Sequence, residues 1–148
     1  MTPIDRSLLT ELVLEHLEPG SSQSREWFVG DHEKPSQGGW QGPEGSSDWI
    51  PYVILTSVPS QEPKGDLATP GSDVWFGYAV TSVARSRHGS EKMSFAMQER
   101  LSQLQRQKTS DNRTISKVRV MRYGGIDRVS TEPPLYILTD QFSVYTTK

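Results

Sequence analysis

The chain has 148 residues, a formal net charge of −2 and an apolar fraction of 33%, values that fit one small core with much polar loop around it. The absence of cysteine excludes disulfides, thiolate metal sites and cysteine nucleophiles. The start, Met1-Thr2-Pro3-Ile4-Asp5-Arg6, has no basic region followed by an apolar stretch, and the longest near-continuous apolar run, Trp49 to Leu55, is broken by Pro51; the expectation is a chain kept in a cytoplasm, without a membrane span.

A helix is predicted first, with Thr2 as its cap, Pro3 in its first position and Asp5 in its first turn. Ile4, Leu8 and Leu12, with Leu9, Val13 and Leu17, recur at helical spacing, and Pro19-Gly20 ends the segment. Trp27-Phe28-Val29 is a short strand candidate. Residues 31–48 hold four glycines and two prolines around Trp40, which reads as a long mobile loop. Its indole is expected either to dock a partner or to fold back on the domain.

Trp49 to Val58 reads as one buried strand stopped by Pro59. A second mobile loop is expected over 59–73, carrying Pro63, Gly65, Pro70 and Gly71. Val74 to Ala84 is a long strand, with Val74, Phe76, Tyr78 and Val80 on one face. The two strands and the segment between them suggest a hairpin arm projecting from the body. A second helix is predicted from Ser90, its cap, to Arg106, with Met93, Ala96, Met97, Leu101 and Leu104 as its apolar stripe. Two strands close the chain. Ile115 to Tyr123 ends at Gly124-Gly125, and Leu135 to Thr147 follows Pro133-Pro134, with Asp140 on the same parity as Tyr136, Leu138, Phe142 and Val144. The predicted fold is one α+β domain over 1–148, two helices on a mixed or mainly antiparallel sheet, in the order α-β-β-β-α-β-β.

Charge is unevenly distributed. Residues 1–73 carry 12 acids and 4 bases, and residues 74–148 carry 6 acids and 12 bases. Either the halves neutralise each other within one fold, or an acidic face of one copy meets a basic face of the next, a head-to-tail contact that closes into rings.

No catalytic, metal or cofactor-binding constellation emerges. His16, His32 and His88 have no partner at metal-ligand spacing. Asp31-His32 lacks a nucleophile elbow to serve, and Gly39, Gly42 and Gly45 precede a strand where a phosphate cradle needs a helix. Glu62 and Asp66 do not make a calcium loop. The bases Arg113, Lys117, Arg119, Arg122 and Arg128, with Tyr123 nearby, allow a nucleic-acid contact. On strand parity, however, Lys117 and Arg119 share one face and Arg122 takes the other, without interleaved aromatics. Ion pairing within the fold or between subunits is the preferred reading.

Taken in order, the elements resemble the tail terminator proteins of long non-contractile-tailed bacteriophages, especially those infecting actinobacteria. The resemblance rests on the first helix, Trp49-Ile50-Pro51-Tyr52-Val53-Ile54-Leu55-Thr56, Gly65-Asp66-Leu67-Ala68 and Val74-Trp75-Phe76-Gly77-Tyr78-Ala79-Val80-Thr81-Ser82-Val83. The second helix, Val118-Arg119-Val120 and the ending Pro133-Pro134-Leu135-Tyr136-Ile137-Leu138-Thr139-Asp140-Gln141-Phe142 complete it. It implies a non-enzymatic virion protein, without cofactor, that forms a hexameric ring on the head-proximal end of the tail tube. Its partners would be its own copies, the tail tube protein and the head–tail connector protein, with DNA passing through the ring only as cargo. A head-completion or neck connector protein is the nearest alternative, and a small nucleic-acid-binding domain a more distant one. Candidate contact residues are Trp40, Glu62, Lys64, Asp66, Leu67, Trp75, Arg119 and Arg122.

Overall fold

A computed structural model describes residues 5–19, 27–59, 74–129 and 133–147. Helix α1 spans Arg6–Leu17. Its N-cap is Asp5, whose carboxylate accepts from the Ser7 backbone N–H at 2.9 Å and from the Ser7 hydroxyl at 2.5 Å, so two donors at the helix start are satisfied by one side chain. The expected caps, Thr2 and Pro3, lie outside the described residues. Leu9, Val13 and Leu17 are buried, while Leu8 is only partly so: the buried stripe is narrower than the sequence suggests.

Strand β1 (Phe28–Asp31) lies parallel to β4 (Tyr52–Val58), which pairs antiparallel with β5 (Val74–Ala84). Helix α2 follows over Arg87–Ser102, and β8 (Tyr136–Thr147) pairs with β5 on one side. On the other side of β8 lie β6 (Thr114–Arg122) and then β7 (Ile126–Arg128). The main sheet thus runs β1-β4-β5-β8-β6, with β7 also on β8. The fold is α+β, with two helices and a mixed sheet. The expected order of elements is corrected by three further short strands: β2 (Gly39–Trp40), β3 (Trp49–Ile50) and β7.

One face of the sheet carries Val53, Leu55, Tyr78, Val80, Phe142 and Val144, and both helices pack on it through Leu9, Val13, Leu17, Met93, Met97 and Leu101. Each such side chain contributes about 1.5–3 kcal/mol when fully buried. Trp27 donates from its indole to the Leu17 carbonyl at 2.8 Å, and Arg100 donates to the His16 carbonyl at 2.6 Å. Those two bonds tie the end of α1 to β1 and to α2.

Helix α2 occupies Arg87–Ser102, not 90–106. Its cap is Ser86, which accepts from the Gly89 N–H at 2.9 Å; Ser90 lies inside the helix, buried, and donates to the Tyr136 carbonyl at 2.7 Å. The helix ends where tighter bonds take over, Gln103 N–H to the Arg100 carbonyl at 3.2 Å and Leu104 N–H to the Leu101 carbonyl at 3.1 Å, and Arg106, at φ 75°, then turns its N–H to the Ile115 carbonyl at 2.7 Å. Leu104 stays buried beyond the helix end.

Two predicted loops have different outcomes. Residues 31–48, expected as a loop, contain a short strand, β2. The chain folds into a ribbon in which β2 pairs antiparallel with β3, and its tip is held by bonds from Gln41 N–H to the Asp48 carbonyl and from Gly42 N–H to Ser47 Oγ, both 3.0 Å. Pro51, which has no N–H, separates β3 from β4, so the single strand expected over Trp49 to Val58 divides between two sheets. The expected loop over 59–73 lies, apart from Pro59, outside the described residues. The two strands flanking it are interior members of the sheet.

Candidate assembly surface

The face of the sheet opposite the helices bears Ile54, Thr56 and Val58 on β4. Trp75, Ala79 and Thr81 face the same way on β5, as do Thr139, Gln141, Ser143 and Tyr145 on β8, by their register. The 32–50 ribbon covers one end of it. Gly38 lies so close to Tyr52 that a Cβ there would sit 2.7 Å from the tyrosine Cβ, and the ribbon can lie flat only because that side chain is missing. Trp49 packs 5.9 Å from the Tyr52 ring, and the Lys34 ammonium sits 5.7 Å from that ring's centre. Burial here pushes the Tyr52 phenol above its ordinary ionisation value.

Trp40 meets Trp49 edge-on at 5.5 Å and lies beneath the Arg85 guanidinium at 4.7 Å. Of the two outcomes open for this indole, folding back on its own domain is the one realised. Trp40 is thus half-buried within the ribbon, packed between Trp49 and Arg85.

The opposite end of the face is uncovered by any helix or ribbon among the described residues. There Trp75 and Tyr145 are cross-strand partners with ring centres 4.7 Å apart, and the Arg119 guanidinium lies 4.4 Å over the indole. Arg119 also reaches the Met121 sulfur at 3.2 Å. Two of the residues singled out in the sequence, Trp75 and Arg119, thus form one cluster. Arg122 joins the same face. The register on β8 slips between Val120 and Arg122, so Lys117, Arg119 and Arg122 stand opposite Tyr145, Ser143 and Gln141. The expectation that Arg122 takes the other face fails because a bulge inserts one residue and reverses the alternation. Glu62, Lys64, Asp66 and Leu67 lie outside the described residues.

Two places where polar groups gather are consumed by structure. His32 Nδ1 lies 2.5 Å from Asp31 Oδ1, and its Nε2 accepts from the Ser57 backbone N–H at 3.1 Å. The ring is thereby held with its proton toward the carboxylate, and its other nitrogen is not available as a base. Asp140, buried on the helix face, accepts from the Ser94 hydroxyl and, at 2.9 Å, from the Gly124 N–H. Sequence parity placed this acid among core residues without naming its partners. Among the described residues no group of three His, Asp or Glu side chains could hold a metal ion, and no helix is long and apolar enough to cross a membrane.

No protein-family model matches the chain, and no curated protein matches it. What the surface offers is recognition chemistry: an indole, a phenol and a guanidinium stacked on a rigid sheet. These are the side chains that dominate the energetics of protein–protein contacts.

Proposed function

We propose that the protein is a structural virion subunit of the tail-terminator type, a ring former that caps the head-proximal end of a phage tail tube and offers the surface for head joining. The observation that carries this reading is the Trp75–Tyr145–Arg119 cluster on a sheet face that, among the described residues, no helix covers. A rigid stacked cluster loses little side-chain freedom on docking, which favours a partner of fixed shape over a flexible one. The resemblance in the order of elements supplies the identity of that partner, the tail tube or the connector.

The test is deletion of this reading frame from the phage that carries it, followed by imaging of the particles. Tails of uncontrolled length without heads are expected. Filled heads without tails would instead favour a neck connector, and normal particles would overturn the proposal.

A second reading gains from the bulge. Lys117, Arg119 and Arg122 now share a face with Trp75 and Tyr145, the interleaving of bases and aromatics that suits a nucleic-acid strand. Salt-dependent binding of DNA by the isolated protein, lost on Trp75→Ala, would favour it.

A further inference from the structure

We infer that copies of this chain join head to tail through the two opposite margins of the main sheet, the basic β6–β7 margin of one copy meeting the acidic α1–β1 margin of the next. The inference rests on the proposed ring and specifies the surfaces that would build it. Strand order places β1 at one end of the sheet and β6 with β7 at the other. Residues 114–129, covering β6 and β7, carry four bases and one acid; residues 5–18, covering α1, carry four acids and one base.

Helix α1 sits on the β1 side of the sheet. A groove of ≈ 380 Å³ opens between the two, and its lining includes Glu11, Asp31 and His32. Glu11, Glu15 and Glu33 are exposed on that margin, and Lys117, Arg122 and Arg128 on the other. None of these six makes an ion pair with another described residue. Among the described residues, the acids of the one margin and the bases of the other are not paired within a single copy.

The basic margin also exposes apolar surface, with Met121 at 45% and Tyr123 at 67% of full accessibility. Register shifts within β6 and the break at Gly124-Gly125 interrupt its ladder. Such an edge is blunted against adding a further strand, so the contact is made by side chains, as complementary charge around a small apolar centre. Because the two margins differ, the contact is heterologous and repeats until it closes.

The test uses the full chain and two triple variants, one with Glu11→Lys, Glu15→Lys and Glu33→Lys, the other with Lys117→Glu, Arg122→Glu and Arg128→Glu. All six positions are exposed, and circular dichroism checks that each variant is folded. Native mass spectrometry at low salt is expected to give rings for the unaltered chain and only monomers for either variant alone. Rings return when the variants are mixed in equal amounts, and again when all six changes are placed in one chain. A single-margin variant that still forms rings would overturn the margin contact while leaving the ring intact. An unaltered chain that stays monomeric up to millimolar concentration would overturn the ring together with the contact.

Discussion

Replacing Asp140 with alanine removes one carboxylate and strands two donors. The side chain is 2% exposed, and its oxygens accept from the Ser94 hydroxyl on α2 and, at 2.9 Å, from the Gly124 N–H. Gly124 lies at the break between β6 and β7, and a Cβ there would sit 1.9 Å from the Thr139 carbonyl oxygen. The carboxylate therefore does the work of a backbone acceptor where the ladder is interrupted. Each buried donor left without a partner costs about 1–3 kcal/mol. Gly124 is only half buried and recovers part of its share from water, so the expected loss is roughly 2–4 kcal/mol. For a chain of this size that is about 4–16 °C in Tm. Asp140→Asn keeps an acceptor for Gly124, and the Ser94 hydroxyl can rotate to accept from the new amide. Its expected cost is about 1 kcal/mol. Urea titration measures both, with an unchanged slope required for the comparison, and amide exchange at Gly124 should accelerate in the alanine variant only. Equal losses for the two variants, or an alanine variant within about 0.5 kcal/mol of the parent, would refute the assignment of Asp140 as a bridging acceptor.

Arg6→Ala should destabilise by about 2–3 kcal/mol, because the guanidinium donates to the Gly77 carbonyl at 2.5 Å and lies 5.1 Å from both the Phe76 and Tyr78 ring centres; Arg6→Lys, lacking the planar fork, should restore less than half in the same denaturation assay. The raised Tyr52 ionisation makes stability whole below the ordinary phenol value of 10.0 and draws it down as pH climbs through the folded value. Trp49→Ala uncovers the ring and should move the tyrosinate absorbance step, read against Tyr52→Phe, back toward the ordinary value. At the acid end, hydrogen bonds from Ser7 hold the Asp5 carboxyl below its ordinary value of 3.8. The stability difference between the parent and Ser7→Ala should be full above that value and vanish as pH falls through the folded one.

The sequence was most legible where a single period governs a whole element. Val74 to Ala84 matches β5 residue for residue, because every second side chain meets the same helical layer. The Met93, Met97, Leu101 stripe is buried as its spacing requires. The 31–48 segment misled because glycine and proline report backbone freedom, whereas this ribbon is held by indole packing between Trp40 and Trp49, a contact that composition does not encode. Arg122 misled for a related reason. Alternation along one strand assumes an unbroken ladder, and a bulge becomes visible only against the register of β8. Asp140 looked like an acid in a core position, and its partner Ser94 is 46 residues away, beyond any local signal.

The bulge in β6 has a consequence for both faces of the sheet at once. Had the alternation continued from Val118 and Val120, Arg122 would project to the helix side, where those two valines line a cavity of ≈ 170 Å³ with Leu101 and Phe142. With Val120 opposite Phe142, an unbroken ladder would set Arg122 opposite the buried Asp140, whose carboxylate already accepts from Ser94 and Gly124. The inserted residue instead adds a third base to the open face, beside Arg119 and Lys117. A terminator needs lateral contacts that close a ring and axial contacts that meet a different protein, and the two must not compete for surface. In this sheet the centre of each surface is different, the Trp75–Tyr145 pair on the face and exposed charge at the margin, with Lys117 and Arg122 standing where the two meet. On the proposed reading, salt should loosen the margin contacts, which rest on exposed charge. The Trp75–Tyr145 platform, being apolar and packed, should keep its geometry through the same titration, so ring dissociation and loss of the docking surface are separable events.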